Sequence, residues 1–420
     1  MKQRAGGFGQ NTVVFDRVNS PFIMHAISSE ALCGNDRPVI FVTKNEVRKK
    51  LRFFLLYSIS KKISYNKKNK KNDEFFYLVL TFHQKANLMK AIWYTHQGKP
   101  SEVLQWGEQP TPQAGPGQVR VKLMASAVNP ADTNRTVGRS YAMEAPLIIP
   151  NSDGSGLIDQ VGDGVPPRWL GQRVWLYNGQ RGGRHLGTAC EYIALDVGLV
   201  APLPDNTSYF EGACLGIPCM TAHRAVRLGG ELEGKNVLVT GGAGAVGHYA
   251  IQWAKHAGAR VFATVSSPSK AEHAQNAGAD ECVNYRQDNV LNRITQLTKG
   301  AGIDHVVDVD FGGNIAHTLA LLRANGSLAY YATKGNPQPK IPAAELMRKN
   351  ISLFSILLNG VVASERIRAQ NEITEALEVN ALQHTVSEVF SLQDTALAHE
   401  AVEFHPKRGT VVIQCAENTN

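Results

Sequence analysis

Hydrophobic and polar positions change their rhythm at about residue 88. Before it, apolar residues come in short blocks, Leu51–Ile59 and Phe75–Phe82, parted by the run KKISYNKKNKKNDE. That run is too polar to pack and is expected to be solvated. From Met89 the text becomes regular. MKAIWYTHQGKPSEVLQW reads as a strand, a turn and a second strand, and QVRVKLMASAVN (118–129) alternates as a strand does. LIDQVG (157–162), QRVWLY (172–177) and EYIALD (191–196) are further short strands among frequent Gly and Pro, so 118–205 predicts a compact β-rich domain.

From about Tyr209 the period changes. A helical stretch (209–228) leads into strand NVLVT (236–240), helix HYAIQWAKHAG (248–258) and strand RVFATV (260–265). Helix KAEHAQNAG (270–278), strand ECVNY (281–285), a helix over 289–298, and strands DHVVDV (304–309) and SLAYYA (327–332) follow. Strands alternating with helices of this length predict a parallel, doubly wound α/β sheet. The tail from about Ser352 carries a helix (364–380) and a last strand, GTVVIQC (409–415).

Charge sharpens the division. The chain of 420 residues has a formal net charge of +8, but residues 1–88 hold 16 Lys and Arg against 6 Asp and Glu. That leaves 28 against 30 for residues 89–420, a nearly neutral body with no electrostatic footprint for nucleic acid. The basic segment 1–88 reads as an N-terminal extension, with Met89 as the functional start; a basic tail for RNA or membrane is the alternative. No apolar run reaches the roughly 18–20 residues of a membrane helix, and no secretory signal opens the chain. The six cysteines are scattered, with no CxxC pair, and are expected as free thiols in a reducing cytoplasm.

The strongest chemical signal is NVLVTGGAGAVGHYAIQWAKHAGARVFATV, in which Gly242, Gly244 and Gly247 fill a GxGxxG pattern between a strand and an amphipathic helix. Gly242 is expected to make the tight turn, Gly244 to admit a pyrophosphate to the backbone, and Gly247 to let helix and strand pack closely. The next strand ends Val265-Ser266-Ser267-Pro268-Ser269-Lys270, without the Asp or Glu that accepts from an NAD ribose. Small hydroxyls and Lys270 suit a 2′-phosphate instead, although Lys270 also suits a solvated helix start.

With SAVNPADTNRTVG (126–138), PNSDGSGLIDQVGDGV (150–165), GIPCMTAHRAV (216–226), the glycine loop and HPKRGTVVI (405–413), the chain from Met89 to Glu417 resembles the zinc-free quinone oxidoreductases, the zeta-crystallin-like branch of the medium-chain dehydrogenases/reductases. The resemblance implies a Rossmann-type sheet inserted into a β-rich GroES-like catalytic domain. The domains expected are the extension 1–88, catalytic residues 89–219, an NADPH-binding domain 220–356, and catalytic residues 357–420. It also implies NADPH as cofactor, a small-molecule quinone or enone substrate, and a cytoplasmic homodimer.

By the same resemblance Asn129 approaches the nicotinamide side of the cleft as a catalytic candidate, joined by Tyr141, which lies near a tyrosine common in relatives. Asn134 stands where many relatives have a cofactor-side tyrosine. Thr221 lies beside the nicotinamide half, and Ala243, Gly244, Ala245 and Val246 line the pyrophosphate. Ser266, Lys270 and Tyr285 surround the 2′-phosphate. Asn314 follows the fourth strand, Tyr331, Ala332, Thr333 and Lys334 hold the nicotinamide, and Ser355, Ile356 and Leu357 hydrogen-bond near its amide.

Zinc-dependent relatives place Cys at Asn129 and Gly-His-Glu at Asn151-Ser152-Asp153, plus four close cysteines for a structural zinc. This chain has none of those ligands, and zinc catalysis needs about three, so no metal is expected. His185 and His223 read as surface or core histidines. An electron-poor quinone or activated alkene accepts hydride without a Lewis acid, and the protein then mainly aligns donor and acceptor. Asp132, Asp153 and Tyr141 are candidates for proton handling or for structural roles. The readings are an NADPH:quinone reductase, an NADPH-dependent reductase of enone or acrylyl double bonds, or an RNA-binding or structural use of the same fold. Deleting residues 1–88 is expected to leave NADPH affinity and turnover within about twofold, as measured by fluorescence titration and steady-state rates. Loss of soluble folding would show that the segment belongs to the core.

Overall fold

The computed structural model describes residues 87–405 and 408–416, and the backbone of Thr12–Val13 and Val39–Ile40, which pair as two-residue parallel strands. The solvated extension expected over 1–88 lies almost wholly outside the described residues.

Strands Asn236–Val239, Arg260–Val265, Glu281–Asn284, Ile303–Asp308, Leu322–Tyr330 and Ser352–Ser355 form one parallel six-stranded sheet. Its strands are short continuous apolar runs such as Val237-Leu238-Val239 and Val261-Phe262-Ala263, buried as a sheet covered on both faces requires. Helices Ala245–His256, Pro268–Asn276, Val290–Leu297 and Phe311–Leu321 make the crossovers. Counted along the chain, the order across the sheet is third, second, first, fourth, fifth, sixth. The order reverses between Asn236–Val239 and Ile303–Asp308, where doubly wound sheets open a ligand crevice.

A second sheet carries the rest. Gln118–Val128 lies at its centre, antiparallel to Asp153–Val161, to Tyr192–Asp196 and to the last strand, Thr410–Gln414. Arg173–Leu176 and Val200–Pro202 extend one side, and Val386–Ser391 the other. The parallel sheet is thus inserted between two parts of this one. Gly156 lets two of the strands approach: a Cβ there would lie 2.0 Å from the Lys122 carbonyl oxygen. Leu88–Trp93 and Gln105–Pro110 pair as a separate hairpin, with a short helix, Pro100–Val103, between them.

Three elements differ from the sequence reading. The helix expected over 209–228 is broken into Tyr209–Ala213 and Met220–Arg227, with a wide turn at Leu215–Cys219. Gly216 there leaves helical geometry (φ −45°, ψ −106°), and Pro218 has no N–H for the ladder. The helix after the glycine loop starts at Ala245, not 248. The strand expected over 327–332 runs from Leu322 to Tyr330, which leaves Tyr331 and Ala332 in a loop. Helices Pro130–Thr136, Ala343–Lys349 and Thr395–Phe404 are further elements that the sequence reading did not assign.

The cores of the two sheets are continuous. One buried cluster runs from Trp175 of the antiparallel sheet and the adjoining Tyr177 through Cys214, Leu215, Cys219 and Met220 to Val237 and Val239 of the parallel sheet and Ile251 of helix Ala245–His256. The broken helix is the bridge between them.

Candidate active site

The glycine loop follows the first strand of the parallel sheet. Its left-handed residue is Gly241 (φ +64°) rather than Gly242, so the tight turn assigned to Gly242 belongs one residue earlier. Gly242 is bare for packing: a Cβ there would lie 2.8 Å from Ala263 Cβ and 3.1 Å from Ile251 Cδ1. Gly247 is tighter still, with a Cβ position 2.3 Å from the Gly241 carbonyl oxygen. Gly244 caps helix Ala245–His256, and no side chain caps that helix. Its first N–H groups, which have no partner within the helix, therefore stand with the positive end of the helix dipole beside a backbone open to a pyrophosphate. These features fit a bound dinucleotide. Ala243 is buried, while Gly244, Ala245 and Val246 are partly exposed.

The other cofactor candidates fall at the same edge of the sheet. Ser266 follows the second strand and Tyr285 the third; Tyr285 N donates to Val265 O at 3.0 Å and its ring is exposed. Lys270 stands in the first turn of helix Pro268–Asn276, which is capped by Ser267. Its ammonium has no ion-pair partner among the described residues. Asn314 follows the fourth strand, and its Nδ2 donates to Asp308 Oδ1 at 2.8 Å, which commits that amide group internally. Tyr331 to Lys334 follow the fifth strand. Tyr331 N donates to Asp308 O, and Thr333 Oγ1 donates to Asn336 O at 2.7 Å. Ser355 to Leu357 follow the sixth, with Ile356 N donating to Tyr330 O. Tyr331, Ala332, Thr333, Ser355, Ile356 and Leu357 line a cavity of about 660 Å³ together with Arg224 and Leu228.

One basic residue at this edge was not legible in the sequence. Gly409 bridges Gly244, its N–H donating to Ala243 O, and this brings Arg408 to the glycine loop. Burial, and then the charge of Arg408, lower the pKa of His273 on the helix that carries Lys270.

Asn129 is buried at the start of helix Pro130–Thr136, within a closed polar network. Its Nδ2 donates to Asp153 Oδ2 at 2.7 Å, and its backbone N–H to Asp132 Oδ2 at 2.9 Å. Asp132 Oδ1 accepts from Ser152 Oγ and from Arg181, both at 2.8 Å. Asn151 takes a left-handed turn (φ +71°) that delivers Ser152 and Asp153 to this network. Its own amide accepts from His399 Nε2 at 2.9 Å and donates to Ser126 Oγ. Burial pulls the His399 imidazole down to about 4, so it is a neutral donor. The two carboxyl groups have different surroundings. Asp132 is paired with Arg181, while Asp153 is pushed up to about 8, first by burial and then by the charge of Asp132.

These residues do not fit a catalytic zinc. Asn129 offers an amide, Ser152 a hydroxyl bonded elsewhere, and Asp153 a carboxyl already accepting two N–H groups. Among the described residues no group of three or more His, Cys, Asp or Glu is placed to hold a metal. His223 is buried and bonded to Glu372 at 2.7 Å, and His185 is exposed. Tyr141 is not in the Asn129 network. It is about half exposed, with Arg135 stacked on its ring at 5.1 Å, and Asn134 is partly buried on the same helix as Arg135. Thr221 is buried in Met220–Arg227, just past the helix break.

The state of Asp153 has a consequence for stability. Its pKa is raised on folding, so its contribution is complete below the ordinary aspartate value near 3.8 and is lost as pH rises through about 8. The stability of the wild type relative to Asp153→Asn is expected to fall between pH 4 and 8, by up to about 1.4 kcal/mol per pH unit, and then to level. Denaturant titrations of both proteins across that range check it; a pH-independent difference would show an ionised Asp153.

Known proteins match this frame over most of its length. The family model for the alcohol dehydrogenase GroES-like domain matches residues 115–205, and that for zinc-binding dehydrogenases matches 245–379, a span that lies outside the Asn129 and Asp153 positions. The quinone oxidoreductase of Mus musculus is 29% identical over 321 residues, 75% of this chain and 94% of that protein. The 2-methylene-furan-3-one reductase of Solanum lycopersicum is 35% identical over 206 residues, 48% of this chain and 53% of that protein. A mycobacterial structure solved in complex with NADPH is 28% identical with a TM-score of 0.69, covering 78% of this chain and 99% of its own. The chain belongs to the medium-chain dehydrogenase/reductase superfamily, in its quinone oxidoreductase branch.

Proposed function

We propose that the protein is an NADPH-dependent quinone oxidoreductase that works without zinc. The observation that carries this reading is the convergence of the cofactor candidates. Segments after all six parallel strands, far apart in the sequence, supply them at one edge of one sheet. When bound, NADPH supplies the hydride. The chain's own residues bind, orient and exclude water. Ala243 to Val246 hold the pyrophosphate, and Ser266, Lys270, Tyr285 and Arg408 the 2′-phosphate. Thr221, Asn314, Tyr331 to Lys334 and Ser355 to Leu357 hold the nicotinamide half, with Asn134 nearby. Asn129 and Tyr141 face the acceptor.

In this reading the catalytic domain comprises 89–219 and 357–420, and the NADPH domain is 220–356. We also propose a cytoplasmic homodimer. The five described cysteines are free thiols, which suits a reducing compartment, and the exposed Leu357 and Val362 beside edge strand Ser352–Ser355 suit a subunit contact. No described helix is long and apolar enough to cross a membrane.

A second reading, reduction of an enone double bond, is favoured by the likeness to the furanone reductase. NADPH oxidation against quinones and enones side by side separates the two. A kcat/KM at least about tenfold higher for quinones is expected, and the reverse ranking would move the assignment to enones.

The end of the second strand also predicts cofactor choice. It offers no carboxylate to an NADH ribose, while Lys270, Ser266 and Tyr285 supply donors to a phosphate. A charge-assisted hydrogen bond contributes about 1.5–3 kcal/mol, roughly 10- to 100-fold in affinity. The expected preference is at least about tenfold for NADPH over NADH in kcat/KM. Lys270→Ala is expected to erode it mainly through the NADPH KM, because a remote phosphate contact binds ground and transition states alike. Ser266→Asp is expected to go further, by repulsion. Equal use of both cofactors by the wild type would refute this reading of the strand.

A further inference from the structure

Asp153 has no task in the function described so far, yet it is fully buried beside the acceptor-side Asn129. Its Oδ2 accepts two hydrogen bonds from different parts of the chain. One comes from Asn129 Nδ2 at 2.7 Å, the other from the backbone N–H of Ile217 at 2.8 Å. Ile217 lies in the break between helices Tyr209–Ala213 and Met220–Arg227. Thr221, the candidate beside the nicotinamide, stands in the first turn after that break.

The fit is close. Gly216 presents bare backbone to the carboxyl, and a Cβ there would lie 2.3 Å from Asp153 Cγ and Oδ1. The carboxyl thus fills the notch that the helix break leaves. Oδ1 has no hydrogen-bond partner among the described residues, so the contacts that matter converge on Oδ2.

We propose that Asp153 is a positioning residue for hydride transfer, whose Oδ2 fixes the Asn129 amide and the helix turn leading to Thr221 with one atom. The inference rests on the function proposed above for the reaction it serves. It identifies hydrogen-bond acceptance, not charge, as the contribution of Asp153, since the neighbouring ion pair is the one between Asp132 and Arg181. An amide at this position offers the same acceptor oxygen; alanine offers none.

The test uses the full chain in three variants: Asp153→Ala, Asp153→Asn and Gly216→Ala. Amide hydrogen exchange of the segment containing Ile217, without ligand, reads the contact directly. Asp153→Ala is expected to speed exchange there at least about tenfold and to lower kcat by about 10- to 100-fold, as a misplaced reacting group does. NADPH Kd, read by fluorescence, and the acceptor KM are expected to stay within about threefold, because the phosphates are held elsewhere. Asp153→Asn is expected to restore both exchange and kcat to within about threefold of wild type. Gly216→Ala, which drives the carboxyl from its notch, is expected to repeat the alanine pattern, and it decides the matter if Asp153→Ala does not fold. Wild-type exchange and kcat in Asp153→Ala or in Gly216→Ala would overturn the proposal, as would an Asp153→Asn protein as impaired as the alanine variant. A wild type that oxidises NADPH with neither quinones nor enones would overturn the proposed function instead, and the exchange measurements would still judge the contact.

Discussion

The cofactor half of this protein depends on how closely one helix can approach one strand. At Gly247 the helix backbone comes so near the Gly241 carbonyl that no side chain fits between them. That approach places the end of helix Ala245–His256 over the edge of the central strand, and Gly241 turns the chain between them. The remaining crossovers follow from it. Thr240 Oγ1 donates to Asp308 Oδ1 at 2.8 Å and accepts from Val309 N, tying the first strand to the fourth where the sheet order reverses. Gly409 then closes onto the loop from the other sheet. A larger residue at position 247 would push the helix outward, and each of these contacts would lengthen with it.

The network around Asn129 obeys a different constraint, the pairing of buried polar groups, with Asp153 Oδ1 and His399 Nδ1 left as its atoms without a partner among the described residues. Asn129, Asp132, Ser152, Asp153 and Arg181 are all largely buried, and each is held by hydrogen bonds within the group. An unpaired polar atom at such depth costs about 1–3 kcal/mol, more if charged. Burial, and then the charge of Asp132, push the Asp153 pKa up to about 8, so the charges of the network sit in the Asp132–Arg181 ion pair. Where zinc relatives place Cys and His on a metal, this chain pairs the Asn129 amide with the Asp153 carboxyl and the Ser152 hydroxyl with the Asp132 carboxyl.

What could be read from the sequence was mostly local. The parallel strands stood out because burial on both faces demands short continuous apolar runs, and the glycine loop because its spacing follows from close packing. The strand end at Ser266 was legible through the lack of an acid. Other features were set by contacts that no window of sequence contains. The break at Gly216 was hidden inside an apolar stretch, and the acceptor that satisfies it, Asp153, comes from another sheet. Arg408 had no role assigned from the sequence, and the pairing of Gly409 with Gly244 brings it to the loop. The division of labour between Gly241 and Gly242 depends on a single backbone angle, and two adjacent glycines do not reveal which of them adopts it. Tyr141 was placed by likeness alone, and its ring lies against Arg135 rather than Asn129.

The pairing of Thr410–Gln414 with Ala125–Val128 has a consequence for how the chain comes to be made. The central strand of the antiparallel sheet is translated before the parallel sheet, and the neighbour that covers one of its edges only after it. The whole parallel sheet is produced in between and has its strands close together in sequence, so it is complete while the first sheet still has an open flank. Long-range pairing is slow, and an uncovered edge is a template for other chains. The nascent protein therefore passes through a stage with a finished parallel sheet and an unfinished antiparallel one. Translation of the residues between the last parallel strand and Thr410–Gln414 sets the least time spent there, whatever the stability of either sheet.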